Sequence, residues 1–316
     1  MQVAITGGRG FIGSILVKHH LQHGDDVRIL TRKVESHPDD SSTQLEIYHA
    51  DLTKQSKVLN DFVDGVDVLY HCAGESNNED LMYQTHVEGT KYLIAVAAGK
   101  IGRWVQLSSV GVYGQQFKGS VREDSELKPV GTYETTKMLS EQLVMDAGNE
   151  KSFSWIILRP STVYGSTMTN QSLHQLVSRI NRSQFFFIGR AGASANYIHV
   201  DNVIQALYLC ASCESRNLGH VYNVSDHCSI EEFINMISDN LNNAKITLRI
   251  PEWPVRTITR LLEYIPGFPL TTSRINALTN RVIYPTTKIQ DELGYRSVIS
   301  MKEGIQQIVK AWKDKQ

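Results

Sequence analysis

The chain has 316 residues, 41% of them hydrophobic, with 32 Lys and Arg against 33 Asp and Glu and a net charge of -1. That length and apolar content suffice for a large buried core, as one long α/β domain with an appended lobe or as two closely packed domains. The balanced charge gives no sign of a nucleic-acid or membrane-surface partner, no apolar run approaches the ~20 residues of a membrane-crossing helix, and Met1 abuts the first predicted strand without room for a leader, so a cytoplasmic protein is expected.

The first predicted strand, Gln2 to Thr6, runs into Gly7-Gly8-Arg9-Gly10-Phe11-Ile12-Gly13 and then into an amphipathic helix that reaches about His23. Gly7, Gly10 and Gly13 form a Gly-x-x-Gly-x-x-Gly turn. Glycine there permits a tight turn, lets backbone amides approach a pyrophosphate and lets helix and strand pack closely, while the helix N-terminus adds partial positive charge. Further short apolar runs predict strands at 27–31, 45–50, 66–71, 104–108 and 155–159, with helical patterns at 81–99 and 132–148 among them. This alternation predicts an α/β fold of the Rossmann type, a doubly wound parallel sheet with ligands beyond the carboxyl ends of its strands. Gly7, Arg32, Asp51, Gly74 and Ser109 fall at such ends, so the sheet gathers them along one edge.

The second half predicts a helix at 170–182, a short strand at 185–189 and a helix at 253–264. Residues 1–165 are therefore read as the dinucleotide-binding domain, with some later segments returning to it, and 166–316 as mainly a substrate-binding lobe. Cys72, Cys210, Cys213 and Cys228 form neither a disulfide framework nor a metal site. The Cys210–Cys213 spacing falls at the end of a helical stretch with no second ligand pair, so reduced thiols are expected.

The chemistry concentrates around position 130. On a helix, Tyr133 and Lys137 are four apart and share one face. A free phenol, with a pKa of about 10, is a poor acid or base at neutral pH, and a neighbouring ammonium is expected to favour the phenolate and lower that value. Ser109 lies 24 residues earlier in Ser108-Ser109-Val110-Gly111-Val112-Tyr113-Gly114 and completes a set suited to hydride transfer. Tyr284 and Lys288 repeat the spacing, but Pro285 disfavours helical geometry between them.

The second predicted strand ends Thr31-Arg32-Lys33, with no acid until Glu35. An acid at this point would bond the ribose 2'-hydroxyl of NAD, whereas an arginine accommodates the 2'-phosphate of NADP. Arg32, together with Arg9 in the glycine turn, therefore favours NADP over NAD.

These motifs resemble the extended short-chain dehydrogenase/reductases of the NAD-dependent epimerase/dehydratase group. So do Asp51-Leu52, His71-Cys72-Ala73-Gly74, the stretch from Leu158 to Gly165, Tyr197-Ile198-His199-Val200-Asp201-Asn202-Val203 and Glu292-Leu293-Gly294-Tyr295. The resemblance implies cofactor contacts at Gly7, Gly10, Phe11, Ile12, Gly13, Arg32, Asp51, Leu52, Ala73 and Gly74. It gives Tyr133 the proton exchange with a substrate hydroxyl or carbonyl, Lys137 the nicotinamide ribose, and Ser109 the same substrate oxygen, with Ser108 as the other candidate for that place. It also implies a homodimer packed through the helices at 81–99 and 132–148, and a nucleotide-sugar as the small-molecule substrate, with Arg190, Arg256, Arg260, Arg274 and Arg281 as candidate diphosphate partners. Val110 and Gly111 stand where dehydratases of the group carry an Asp-Glu pair, so reduction, oxidation or epimerisation is expected and dehydration is not. Two alternatives stay open: a reductase or dehydrogenase of an apolar ketone or alcohol, steroid-like or flavonol-like, and a cofactor-binding sensor or assembly protein that does not react. His86 stands where the group usually has Asn, and its ring is either titratable or structural.

Overall fold

The computed structural model describes residues 1–32, 42–116, 118–150, 152–168, 170–214, 219–262, 264 and 270–316. Lys33 and Glu35 lie outside these residues. Among them, the short apolar runs pair into one seven-stranded parallel sheet made of β1 (Gln2–Thr6), β2 (Asp26–Thr31), β3 (Leu45–His49), β4 (Val68–His71), β5 (Arg103–Leu107) and the strands Ser154–Pro160 and His220–Val224. The spatial order is β3-β2-β1-β4-β5, then Ser154–Pro160, then His220–Val224, and every pairing is parallel. The chain reverses direction across the sheet between β1 and β4, and a crevice forms beyond the strand ends at that switch point.

Because successive strand residues point to opposite faces, the sheet feeds two cores. Val3 and Ile5 pack with Leu16, Val17, Val203 and Leu207 on one face. Ala4 joins Leu30, Leu69, Leu93, Trp104, Val144 and Ile157 on the other. Burial on both faces explains why β1 and β4 read as continuous apolar runs and not as alternating ones.

Helices α1 (Phe11–Gln22), α2 (Val58–Val63), α3 (Glu79–Tyr83), α4 (Gly89–Ala97) and α5 (Thr132–Asn149) accompany the first five strands. The single helix predicted at 81–99 is interrupted by a wide π turn over Gln84–Glu88, between α3 and α4. The strand His220–Val224 carries no counterpart in the sequence prediction. It and the helices Val200–Ser212 and Thr287–Leu293 come from the second half yet belong to the sheet's layers, as burial of Ile204, Leu207, Tyr222, Ile289 and Tyr295 in the first core shows.

The remaining segments build a smaller lobe around Leu173, Val177, Phe187, Phe233, Ile237, Ile305 and Ile308. The predicted helices settle at Ser172–Asn181 and Glu252–Leu262, and the predicted strand at 185–189 shrinks to Phe187–Ile188. A three-stranded sheet of Thr162–Tyr164, Ser194–His199 and Asp226–Ser229 connects lobe and main sheet. Asn202 fastens the chain's last segment, donating to Asp226 and to the Ile299 carbonyl while accepting the amides of Val298 and Ile299.

Candidate active site

The glycine turn leaves β1 through Gly7, whose φ of +69° is a left-handed conformation. A Cβ there would lie 2.8 Å from the Ala73 amide nitrogen, and one on Gly13 would collide with the Gly7 carbonyl. The Gly10 amide donates to that carbonyl at 2.8 Å, closing the turn. Helix α1 then starts with Gly10 as its cap, without a side-chain cap and without an acid in its first turn. Its N-terminal amides and positive dipole end are therefore left for an anion, and the cradle fits a pyrophosphate.

Two cavities meet at this cradle. One, of about 350 Å³, runs past Arg9, Thr31, Arg32, Asp51, Leu52 and Ala73. The other, of about 540 Å³, is walled by Ile12, Gly13, Ser108, Ser109, Tyr133, Lys137, Ser161 and Met168 among others. Gly7, Gly10, Phe11 and Gly74 belong to both walls. The residues expected to meet the cofactor, with Ser109, Tyr133 and Lys137, thus lie on the walls of these two adjoining cavities, whereas Arg190, Arg256, Arg260, Arg274 and Arg281 line neither. In the first cavity, burial raises Asp51, but hydrogen bonds from Thr53 and the charge of Arg32 outweigh it and hold the carboxylate below its ordinary range.

Helix α5 presents Tyr133 and Lys137 one turn apart. Lys137 is buried and donates from Nζ to the Leu107 carbonyl at 2.9 Å. Burial lowers it to about 8. Tyr133 is half-buried, and burial followed by the neighbouring Glu134 carboxylate pushes its phenol up to about 12. This overturns the expectation that the ammonium would hold the phenol low: desolvation disfavours the phenolate, and the ammonium is turned to the end of β5. Ser109 caps a short 3-10 turn over Val110–Tyr113 and accepts the Gly111 amide at 3.1 Å. The Ser108 hydroxyl is buried and makes no hydrogen bond.

His86 sits in the π turn, edge-on to the Tyr133 ring with centroids 5.5 Å apart. Its Nε2 accepts the Glu75 amide at 2.9 Å, so Nδ1 carries the proton and donates to Thr136 Oγ1 at 2.8 Å. Burial, helped by the Lys137 charge, lowers it to about 3. Both ring nitrogens are thus engaged, and this environment favours the neutral ring. A methyl group placed on Gly74 would lie 3.3 Å from His86 Nε2 and 3.6 Å from Lys137 Nζ, which shows how closely the three are gathered.

Behind this front, sequence reasoning missed an anchor. Arg159 donates to both carboxylate oxygens of Glu141, Nη2–Oε2 2.6 Å and Nε–Oε1 2.9 Å, and to the Tyr113 hydroxyl at 2.8 Å. Both charged partners are fully buried. The signal was present: Glu141 follows Lys137 by four residues, and a charged Arg159 ends an apolar strand. The second Tyr-x-x-x-Lys does not form a pair. Tyr284 follows the strand Arg281–Ile283 and stacks on Tyr113, while Lys288 starts another helix and donates to the Val221 carbonyl. All four cysteines are free, and the described residues hold no cluster of three or more metal-ligating side chains.

A seven-stranded parallel sheet with a glycine cradle at its switch point defines a Rossmann-type dinucleotide fold. Residues 3–225 match the NAD dependent epimerase/dehydratase family, and the chain belongs to that family of NAD(P)-using enzymes. It is 27% identical to the Arabidopsis thaliana 3beta-hydroxysteroid-dehydrogenase/decarboxylase isoform 2, in a match that takes in 96% of this chain but only 61% of that protein. It is 26% identical to the Mus musculus sterol-4-alpha-carboxylate 3-dehydrogenase, decarboxylating, over 98% of this chain and 90% of that one. Among solved structures, the UDP-glucuronic acid 4-epimerase from Bacillus cereus in complex with NAD shares the fold, with a TM-score of 0.77, 18% identity and 99% of each chain covered.

Proposed function

We propose that the protein is an NAD(P)-dependent oxidoreductase of a secondary alcohol or ketone, with Tyr133 as general acid and base and a largely apolar, alicyclic substrate. The observation that carries it is the shared wall of glycine cradle, Ser109, Tyr133 and Lys137. Phe11, Ile12 and Gly13 would hold the pyrophosphate by their amides, and Asp51, Leu52, Ala73 and Gly74 would line the rest of the dinucleotide's path. When bound, the nicotinamide dinucleotide supplies or takes the hydride. Tyr133 gives its proton to the substrate carbonyl oxygen in reduction, or takes it back in oxidation. Ser109 Oγ already accepts the Gly111 amide, which leaves its own proton to donate to the same oxygen. Lys137, held by the Leu107 carbonyl on the same wall, would meet the nicotinamide ribose.

Two features favour an apolar substrate. Of the five arginines suited to a diphosphate, Arg256 is engaged by Glu252 and Asn276, and Arg281 by the carbonyls of Thr279, Arg190 and Ala191. The lobe also carries a cavity of about 510 Å³ walled by Leu176, Phe185, Phe186, Ile188, Leu270 and Leu278. The two sterol dehydrogenases to which the chain is related support the same class. A nucleotide-sugar is the second reading, supported by Arg179 and Arg274 on that cavity's wall. Arg32 at the end of β2 supports NADP as the preferred cofactor, and the segment 81–99, which spans α3, the π turn and α4, packs with α5 in the proposed dimer.

The test is turnover of a 3-hydroxysteroid or its ketone with NADP(H) and NAD(H), beside a thermal-shift panel with UDP, GDP and dTDP. Tyr133→Phe is expected to lower kcat by about 100-fold or more while cofactor affinity changes less than about twofold. Near-normal activity of that variant would refute the mechanism, and a shift with a nucleoside diphosphate but not with the steroid would transfer the substrate class to the second reading.

A further inference from the structure

Nine large hydrophobic side chains of the described residues are exposed, and five of them, Leu248, Trp253, Ile258, Leu261 and Tyr264, crowd into residues 248–264. The helix Glu252–Leu262 carries the central three. Its inner side buries Val255 and Thr259, with Val255 packed on Ile188 and Ile275. On its outer side Trp253 and Leu261 stand eight positions apart with the exposed Thr257 between them, and Ile258 lies alongside. Trp253 is 75% exposed, Leu261 73% and Tyr264, just past the helix end, 84%. Thr257 and Arg260 share that side, yet this many large exposed apolar side chains on one short helix mark a surface that something covers.

The local charge says what. Residues 245–281 contain six Lys and Arg against two Glu, in a chain whose total is -1. Arg249 and Arg256 are held by Glu231 and Glu252, while Lys245 and Arg260 stand exposed. An apolar stripe with Trp and Tyr near its ends and cations beside it is the composition of a helix lying in a lipid interface. A second copy of the same patch would bring like charges together, which disfavours self-association there.

We propose that this helix docks the protein on an anionic lipid surface. Trp253, Ile258, Leu261 and Tyr264 enter the boundary between headgroups and acyl chains, and Lys245 and Arg260 meet the headgroups. No helix among the described residues is long and apolar enough to cross a membrane, and docking needs none. The side chains beneath the helix also belong to the lobe cavity: Phe186, Ile188, Leu270 and Leu278 serve both. The docked helix therefore rests on side chains that also wall a cavity, which an apolar substrate could reach from the lipid. That route rests on the apolar-substrate reading; the docking itself does not.

Flotation of the full chain with vesicles of phosphatidylcholine alone, or of phosphatidylcholine with phosphatidylglycerol, tests the docking without any turnover. The wild type is expected to float with the anionic vesicles only, and less as salt rises. The Trp253→Ser, Leu261→Ser, Tyr264→Ser triple variant should bind roughly tenfold more weakly or worse, and Arg260→Glu should lose part of the binding. The fluorescence blue shift on adding vesicles should vanish in Trp253→Phe, since Trp104 and Trp155 are buried and the half-buried Trp312 is packed against the lobe core. Absence of flotation on either vesicle, equal binding by the triple variant, or a wild-type oligomer that this variant dissolves would each overturn the proposal. Loss of steroid turnover with intact flotation would instead refute only the substrate reading.

Discussion

A phenol pushed up to about 12 is protonated at neutral pH, so Tyr133 stands ready as a proton donor and must be helped to act as an acceptor. The help available is Lys137, itself lowered to about 8, which loses its charge as pH rises past that value. In the reducing direction, kcat/KM is therefore expected to stay level through neutral pH and to decline above about 8. In the oxidising direction it should rise with pH until the same loss blunts the rise. A pH series in both directions checks this, and a reducing rate that climbs from about pH 8 to 9 would take Lys137 out of the mechanism. Arg32 allows a second measurement: Arg32→Ala should weaken NADP about tenfold while leaving NAD within about twofold, because only the former carries a phosphate for a guanidinium to bind. Equal losses would remove the case for NADP. The spacing of Tyr133 and Lys137 was legible in the sequence, but the balance between burial and charge was not. It depends on the Leu107 carbonyl that takes the ammonium and on the Glu134 carboxylate beside the phenol.

Helix α5 has to hold that pair still, and its hold is the buried Glu141–Arg159 fork. Arg159 reaches on to Tyr113, whose hydroxyl donates to Asn223, so one arginine links α5, the turn after Ser109 and the last strand of the sheet. Replacing one member of such a pair strands the other charge away from water, at a cost of about 3–5 kcal/mol. Glu141→Gln should lower stability on that scale and Arg159→Met similarly. The double change Glu141→Leu, Arg159→Met should recover much of the loss, as urea titrations of the three variants would reveal; a double variant no better than the singles would show that the pair does more than neutralise itself. Element by element, β1 was read to the residue because its apolar run is buried on both faces. His220–Val224 was not, because His220 and Asn223 interrupt its apolar pattern and its pairing partner, Ser154–Pro160, lies far back in the chain. The π turn at Gln84–Glu88 likewise escaped a search for 3.6-residue periodicity, since it adds a residue to one turn without changing composition.

Across the whole molecule, sheet and catalytic helix are joined by a seam of buried polar groups. His71 contacts Thr6 through Nδ1 and Thr90 through Nε2, Thr90 meets Ser140 of α5, and His86 closes the seam through Thr136. Both histidines are lowered to about 3, His71 by burial and then by the Lys137 and His86 charges, and His86 by burial and then by Lys137. Their folded values lie below the ordinary 6.5, so between about 6.5 and 3 the unfolded chain binds more protons than the folded one. Their contribution is therefore present above about pH 6.5 and is lost as pH falls, at up to about 1.4 kcal/mol per pH unit for each ring. Unfolding free energies measured down to about pH 4 should show this decline, and His86→Asn, which puts the family's more usual side chain in the π turn, should make it shallower by one proton's worth. Parallel slopes for the two proteins would mean that His86 takes up its proton inside the folded structure, and its ring would then be a titrating group beside Tyr133 and not a fixed neutral support.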